Sequence, residues 1–187
     1  MNADLFERAI LTPCAVIRPN VGILIFEFTR ISSSDYDQGR GFVADLDKFL
    51  GRLPAGWPYG IEIRNHHWLA PDYFGCLARH GVAHVFNSWE AMPSVSEQMA
   101  LAGSRPNPHL AAARFLLKPG RRYEHAVKLF QPYDHVQEPN LPARAAARAL
   151  IAQGKAAGEK RKTFIYVNNR LEGNALETIG AMLSAGD

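Results

Sequence analysis

The segment Tyr59-Gly60-Ile61-Glu62-Ile63-Arg64 places two opposite charges two residues apart in an otherwise apolar run. Alternate side chains of an extended chain share a face, so Glu62 and Arg64 stand together, opposite Ile61 and Ile63. If the isoleucines pack under helices, the charges point to the interior of a sheet, where charged groups need partners. Glu27, near the end of the run Val21 to Phe28, is one titratable neighbour. Arg114 and Lys118, on either side of Phe115-Leu116-Leu117, are available cations. Such a set suits acid–base chemistry or the clamping of a charged ligand, with Glu62 and Arg64 as the catalytic candidates. It suits equally well a structural ion network that holds an interior together.

Ligand sites in parallel α/β folds are built where strands end and the next loops begin. Polar residues gather at those positions: Glu27, then Asn65 and Trp68, then Asn87, then Lys118, Arg121 and Tyr123, and finally Asn168, Asn169, Arg170 and Asn174. These are the ligand-binding candidates, and Lys118, Arg121 and Arg170 join Arg64 as cations able to clamp an anion. Gly120-Arg121-Arg122 and Gly173-Asn174 add backbone N–H groups of the kind that anions seek. Of the adjacent His66 and His67, alternation lets at most one face such a site. No GxxxxGK[ST], GxGxxG or GxSxG pattern occurs, so phosphate-loop, dinucleotide and serine-elbow chemistry are not indicated. Cys14 and Cys76 lie far apart without a CxxC, which argues against a disulfide framework or a zinc knuckle, and both read as buried small apolar residues. His80 and His84 are four apart, but Gly81 breaks the helix that a metal pair would need. No metal is expected, and no particular cofactor is implied.

The chain has 187 residues, 47% of them apolar and 21% charged, which fits one globular domain and excludes disorder, collagen and coiled coil for the whole. No apolar run approaches the roughly 18 residues of a membrane helix. Met1 to Glu7 lacks the basic start and apolar stretch of a signal peptide, so a cytoplasmic protein without membrane contact is expected. The net charge of +3 hides an asymmetry: Lys118 to Arg170 holds 11 Lys/Arg against 4 Asp/Glu, a balance of +7 that leaves −4 elsewhere. A basic C-terminal half suits an anionic partner such as a phosphate, a phosphosugar or nucleic acid. Alternatively, Arg144, Arg148, Lys155 and Lys160 to Lys162 simply solvate the outer face of a helix and its exit.

The elements that must position these residues alternate along the chain. A short helix over 3 to 11 ends before Pro13, because the residue ahead of a proline avoids the α region. Strands are expected at Val21 to Phe28, Tyr59 to Arg64, Val82 to Asn87, Arg114 to Leu117 and Thr163 to Asn168. Helices with apolar residues at helical spacing are expected at 41 to 53, 72 to 80, 123 to 130, 142 to 158 and 174 to 184. Met92 to Pro108 reads as a loop with one helical turn near Glu97 to Leu101. Five β units, each followed by helix, indicate an α/β fold with a parallel sheet.

Three segments in this order, Tyr59-Gly60-Ile61-Glu62-Ile63-Arg64-Asn65 with Trp68, Arg114 to Arg121 with Tyr123, and Phe164 to Ala175, resemble the YecE-like family, an uncharacterised bacterial group. The E-x-R-x-x-x-W and N-N-x-x-x-G-x-A elements carry the likeness, which extends from about residue 3 onward. The resemblance implies a TIM-type β/α barrel whose fourth to eighth strands correspond to the five here. The expected fold is therefore a partial barrel, one incomplete domain over 1–187 with three N-terminal β/α units missing. Such a barrel has two open edges, which self-association or a partner chain would complete. Relatives commonly end the fourth of these strands with an Arg-x-His-Gly pattern where this chain has Leu117-Lys118-Pro119-Gly120, so no histidine role carries over. No reaction comes with the family.

Two functions follow from different classes. The favoured one is a barrel enzyme, or the remnant of one, acting on an anionic or phosphorylated small molecule, with Glu62 as acid/base and Arg64, Lys118, Arg121 and Arg170 as anion clamps. The other is a noncatalytic module whose basic half docks an anionic partner such as nucleic acid, through a flat patch around Arg144 to Lys162.

Overall fold

A computed structural model describes residues 1–32, Tyr36 and 39–184. The first helical segment, α1, starts over Ala3–Phe6, widens to a π-turn over Glu7–Leu11, returns to α over Thr12–Cys14 and ends as a 3-10 stretch over Ala15–Asn20. The expected stop before Pro13 does not occur. Ahead of the proline the Thr12 N–H reaches Glu7 O, and this widened register carries the helix past a ring that would disrupt a regular one.

Five strands follow: β1 Leu24–Phe28, β2 Tyr59–Ile63, β3 Ala83–Ser88, β4 Leu110–Phe115 and β5 Lys162–Val167. Helices α2 Arg40–Gly51, α3 Pro71–Arg79, α4 Val95–Ala100, α5 Tyr123–Phe130 and α6 Leu141–Ala157 connect them, and α7 Ala175–Leu183 comes last. The starts of these helices are set locally. Pro71 opens α3, Ser94 and Glu97 cap α4 reciprocally, and the side chains of Asn140 and Asn174 cap α6 and α7. Among the described residues no helix is long and apolar enough to cross a membrane.

The sheet is parallel throughout and its order is the chain order, β1-β2-β3-β4-β5. Right-handed crossovers in an order that never reverses put the helices on one face. Phe42, Leu46 and Phe49 of α2 and Tyr73, Phe74 and Leu77 of α3 share a core with Tyr59, Ile61 and Ile63. Ala146, Ala147 and Leu150 of α6 and Met182 of α7 share another with Phe86, Ala113 and Phe115. The two isoleucines thus do pack under helices, and Glu62 faces the other way.

That other face is concave. In a flat sheet β1 and β4 would lie about 14 Å apart, three strand spacings, yet Arg114 Nη1 of β4 is 2.6 Å from Glu27 Oε2 of β1. Before β1, a Cβ at Gly22 would come within 2.6 Å of the Phe164 ring of β5, so a side chain there would have to displace that ring where the first and last strands approach. Every residue of β2 and β3 is buried, whereas β1 and β5 are only half-buried and Tyr166 of β5 is exposed.

One strand boundary changes the chemistry. The sequence places Arg114 at the start of the fourth strand, but it stands near the end of β4, and Lys118 lies beyond the strand. Ala111, Ala112 and Ala113 have little intrinsic strand preference. They are extended by pairing on both sides, Val85 with Ala112 and Ala111 with Thr163.

Candidate functional site

Glu27 of β1 is the register partner of Glu62 of β2, and Asn87 of β3 is the partner of Arg114 of β4. Partners in a parallel ladder point the same way, so these positions face the concave side near the strand ends. Arg64, one residue past β2, joins them. Its Nη2 is 2.7 Å from Glu27 Oε1 and its Nε donates to Glu62 Oε1 at 3.2 Å. Arg114 Nη1 donates to Glu27 Oε2 and to Glu62 Oε2, so two arginines are shared between two carboxylates. Trp89, in the loop after β3, lies over the Arg64 guanidinium with 3.8 Å to the ring centroid and keeps water from that side.

The two glutamates differ in access. The Glu62 side chain has no exposure, while that of Glu27 is 31% exposed. Burial raises the Glu62 pKa against the opposing pull of Arg114 and Arg64, so it is protonated more readily than a free glutamate. Burial works to lower the Arg114 pKa, but its bonds to Glu27 and Glu62 prevail and raise it. The arrangement can therefore hold a proton on a carboxyl beside fixed cations, which is what a general acid requires.

A cleft of about 810 Å³ opens beside this network at the ends of β1 and β2. Arg30, Arg64, Asn65, His66, His67 and Trp68 line it, and among the described residues no carboxylate does. A second opening of about 480 Å³ lies between β1, β4 and β5, lined by Ile25, Glu27, Arg114, Tyr166 and Asn168. His66 and His67 both reach the cleft, with ring centroids 3.6 Å apart. Alternation does not apply to them because they sit in a 3-10 turn, His66–Trp68, rather than on a strand.

The remaining candidates are spread more widely. Asn65 is occupied with the backbone of Ile31, accepting from its N–H and donating to its carbonyl at 2.9 Å each. Trp68 is buried and stacked on Phe42. Asn87 donates to Ile63 O, and its buried Oδ1 has no hydrogen bond among the described residues. Lys118 does not reach Glu27 or Glu62; with Arg121 it holds Glu138. Arg170 lies over the Tyr123 ring, Asn168 accepts from the Arg170 N–H, and Asn169 accepts from the Ala175 N–H. Asn174 caps α7 and donates to Tyr133 O.

Sequence reasoning missed Trp89 as a lid on Arg64, the cleft-lining role of Arg30 and both histidines, and the acidic partners Glu138 and Glu172. Trp89, Arg30 and Glu172 carried a signal as residues just past the third, first and fifth expected strands, and one of the two histidines was allowed there, whereas Glu138 carried none. Arg144 and Arg148 were expected to solvate a helix face. Instead Arg144 forms a two-pronged bond to buried Glu172, and Arg148 donates to Ala181 O, tying α6 to α7. Cys14 is half-buried rather than buried, and both cysteines are free thiols.

Comparison with protein families matches residues 4–186 to the group described as protein of unknown function DUF72. The chain belongs to the DUF72 family. Two crystal structures of a DUF72 family protein from Enterococcus faecalis V583 are similar to it, at 15% and 18% identity and TM-scores of 0.62 and 0.65. They cover 97% and 100% of this chain, which spans 68% of that protein in each case. A DUF72 family protein from Thermotoga maritima MSB8 aligns over 94% of this chain and 61% of its own, at 17% identity and a TM-score of 0.58. At these identities the likeness shows a shared fold. None of the curated proteins matches the chain. The DUF72 description carries no activity, so the function must be argued from the site.

Proposed function

We propose that this DUF72 chain is a cytoplasmic, YecE-like bacterial protein that binds an anionic or phosphorylated small molecule at the C-terminal ends of its strands. The observation that carries this reading is the convergence of Glu27, Glu62, Arg64 and Arg114 from three strands beside a cleft walled by Arg30, His66 and His67. Arg64 and Arg30 hold the anion, and Glu62 is the acid/base group. Lys118, Arg121 and Arg170, on the β4 and β5 side, are a second candidate set for the same kind of ligand.

The architecture proposed with it is a single partial TIM-type barrel over 1–187 whose five strands correspond to the last five of eight. Sequential strand order, a concave polar face and half-buried β1 and β5 support it. Roughly 85 residues of the Enterococcus protein lie outside the match, close to three β/α units of about 30 residues each. A second chain, or a second copy of this one, completes the open side.

Thermal melting in inorganic phosphate tests the ligand reading. Phosphate should raise the melting temperature of the parent chain, and Arg30→Ala should lose that rise while melting normally without phosphate. No rise in the parent would sink it. Light scattering on a sizing column tests the completed barrel, which requires a species larger than one chain. The alternative of nucleic-acid docking is less favoured because Arg144 and Arg148, central to the expected patch, are turned inward onto Glu172 and Ala181. A steep salt dependence of duplex binding would revive it.

A further inference from the structure

On the helical face of the sheet, α2 and α3 bring together three side chains that ligate metals. Cys76 Sγ lies 3.6 Å from Asp47 Oδ1, and His80 Nε2 lies 2.9 Å from the same oxygen. The three donor atoms all lie within 4.8 Å of one another. Cys76 and His80 are four residues apart at the end of α3, so they project to one face. Asp47 is supplied by the neighbouring helix. Sequence spacing set aside a metal pair of His80 and His84, because Gly81 separates them, and expected no metal. His84 instead belongs to the core, bonded to the Tyr73 hydroxyl.

Zn²⁺ holds sulfur at about 2.3 Å and nitrogen or oxygen at about 2.0–2.1 Å, so a tetrahedral site spaces its donors about 3.3–3.5 Å apart. The two contacts here differ from that by a few tenths of an ångström, which side-chain rotation accommodates. Thiolate and imidazole favour zinc and its transition-metal neighbours over magnesium and calcium, which take oxygen donors. His80 and Asp47 are partly open to solvent, at 23% and 43% side-chain exposure, and give a route of entry to buried Cys76.

Two other uses of the cluster fit less well. In a cysteine nucleophile the thiol is activated by a base or by nearby positive charge. Here the thiol donates to a carboxylate, and His80, the nearby base, is bonded to that same carboxylate oxygen. A simple Asp47–Arg79 ion pair has no use for sulfur or imidazole. Arg79 also sits on Asp47 Oδ1, at 2.8 Å, but its side chain is 61% exposed and free to withdraw.

We propose that Asp47, Cys76 and His80 form a three-ligand Zn²⁺ site that staples α2 to α3 and leaves a fourth position to solvent. The site is separate from the strand-end cleft and does not rest on the function proposed for it.

The test is a titration of the chelator-treated full chain with Co²⁺, which reports thiolate ligation by a sulfur-to-cobalt charge-transfer band, followed by displacement with Zn²⁺. The parent should saturate at one ion per chain, and Zn²⁺ should abolish the band. Cys14→Ser should keep it and Cys76→Ser should lose it. His80→Ala should bind more weakly by more than the roughly 10–100-fold that loss of an outer-shell partner costs. Arg79→Ala should bind more tightly, because the competing cation is gone, whereas a merely structural ion pair predicts no such gain. Absence of the band in the parent, its loss in Cys14→Ser, or its persistence in Cys76→Ser would each overturn the proposal. Should Cys76→Ser fail to fold, as melting without metal would show, Cys14→Ser and Arg79→Ala still decide the matter.

Discussion

Two glutamates have no contact with solvent, Glu62 on β2 and Glu172 in the loop after β5, and their surroundings are opposites. Glu172 accepts from Arg144 Nε and Nη2, from Thr178 Oγ1 and from the Asn140 N–H, while its backbone carbonyl takes the N–H groups of Gln137 and Glu138. It knits α6, α7 and the preceding loop together, and its oxygens are saturated. Glu62 has only two arginines, both shared with Glu27, and burial raises its pKa. The same residue type at the same end of the same sheet thus serves as scaffold on one side and retains proton-holding capacity on the other. What separates them is the number of donors each carboxylate commands, together with an adjoining cationic cleft.

The largest expected effect tests the scaffold side. Glu172→Ala leaves Arg144 part-buried without its carboxylate and should cost about 3–5 kcal/mol in urea unfolding, as breaking a buried pair does. A loss below about 1 kcal/mol would mean that Glu172 is no more structural than Glu62, and the contrast would collapse.

Much of this contrast was legible in sequence, and the illegible part has physical causes. Alternation around Ile61 and Ile63 was enough to turn Glu62 inward, because a buried strand leaves no other register. The parallel α/β class followed from five apolar runs separated by amphipathic helices. The end of β4 was missed because three alanines carry little strand signal, so Arg114 was placed at the wrong end. Glu138 and Glu172 were invisible as partners, since they pair with Lys118, Arg121 and Arg144 through loops whose course no local pattern encodes. The cluster joins two helices, Asp47 standing 29 residues before Cys76 and 33 before His80, separations over which spacing rules say nothing.

Acid titration sharpens the comparison next. Burial lowers the His84 pKa from 6.5 to about 4. The folded chain therefore keeps it neutral while the unfolded chain takes up a proton below pH 6.5. Its contribution is present above that pH and is lost as pH falls towards 4, by an amount on the order of 3 kcal/mol. Glu62 has the opposite sign. Its folded pKa is raised, so its contribution is greatest below the unfolded value of 4.5 and is lost as pH rises through the folded one. Subtracting the urea-derived stability of Glu62→Gln from that of the parent across pH removes His84 from the balance. The difference should change with pH in the Glu62 sense, the parent gaining on the variant as pH falls, because glutamine keeps the shape of the carboxyl but takes up no proton. A neutral-pH loss as large as that of Glu172→Ala would make Glu62 a scaffold residue and remove the acid/base role.

The smallest effect separates the two candidate ends for the ligand. Lys118 and Glu138 form a pair at 3.0 Å with side chains 52% and 40% exposed, whereas Arg121, on the same carboxylate, is only 10% exposed. An exposed pair contributes about 0–1 kcal/mol, so Lys118→Ala should unfold in urea within about 0.5 kcal/mol of the parent. The informative readout is then the rise in melting temperature with inorganic phosphate. If the anion sits in the cleft of Arg30, Arg64, His66 and His67, Lys118→Ala keeps most of that rise while Arg30→Ala loses it. If Lys118→Ala loses it and Arg30→Ala does not, the ligand belongs to the loops after β4 and β5. Glu138 then occupies in the free protein the place that an anion takes, and the saturated side of the molecule is the one that binds.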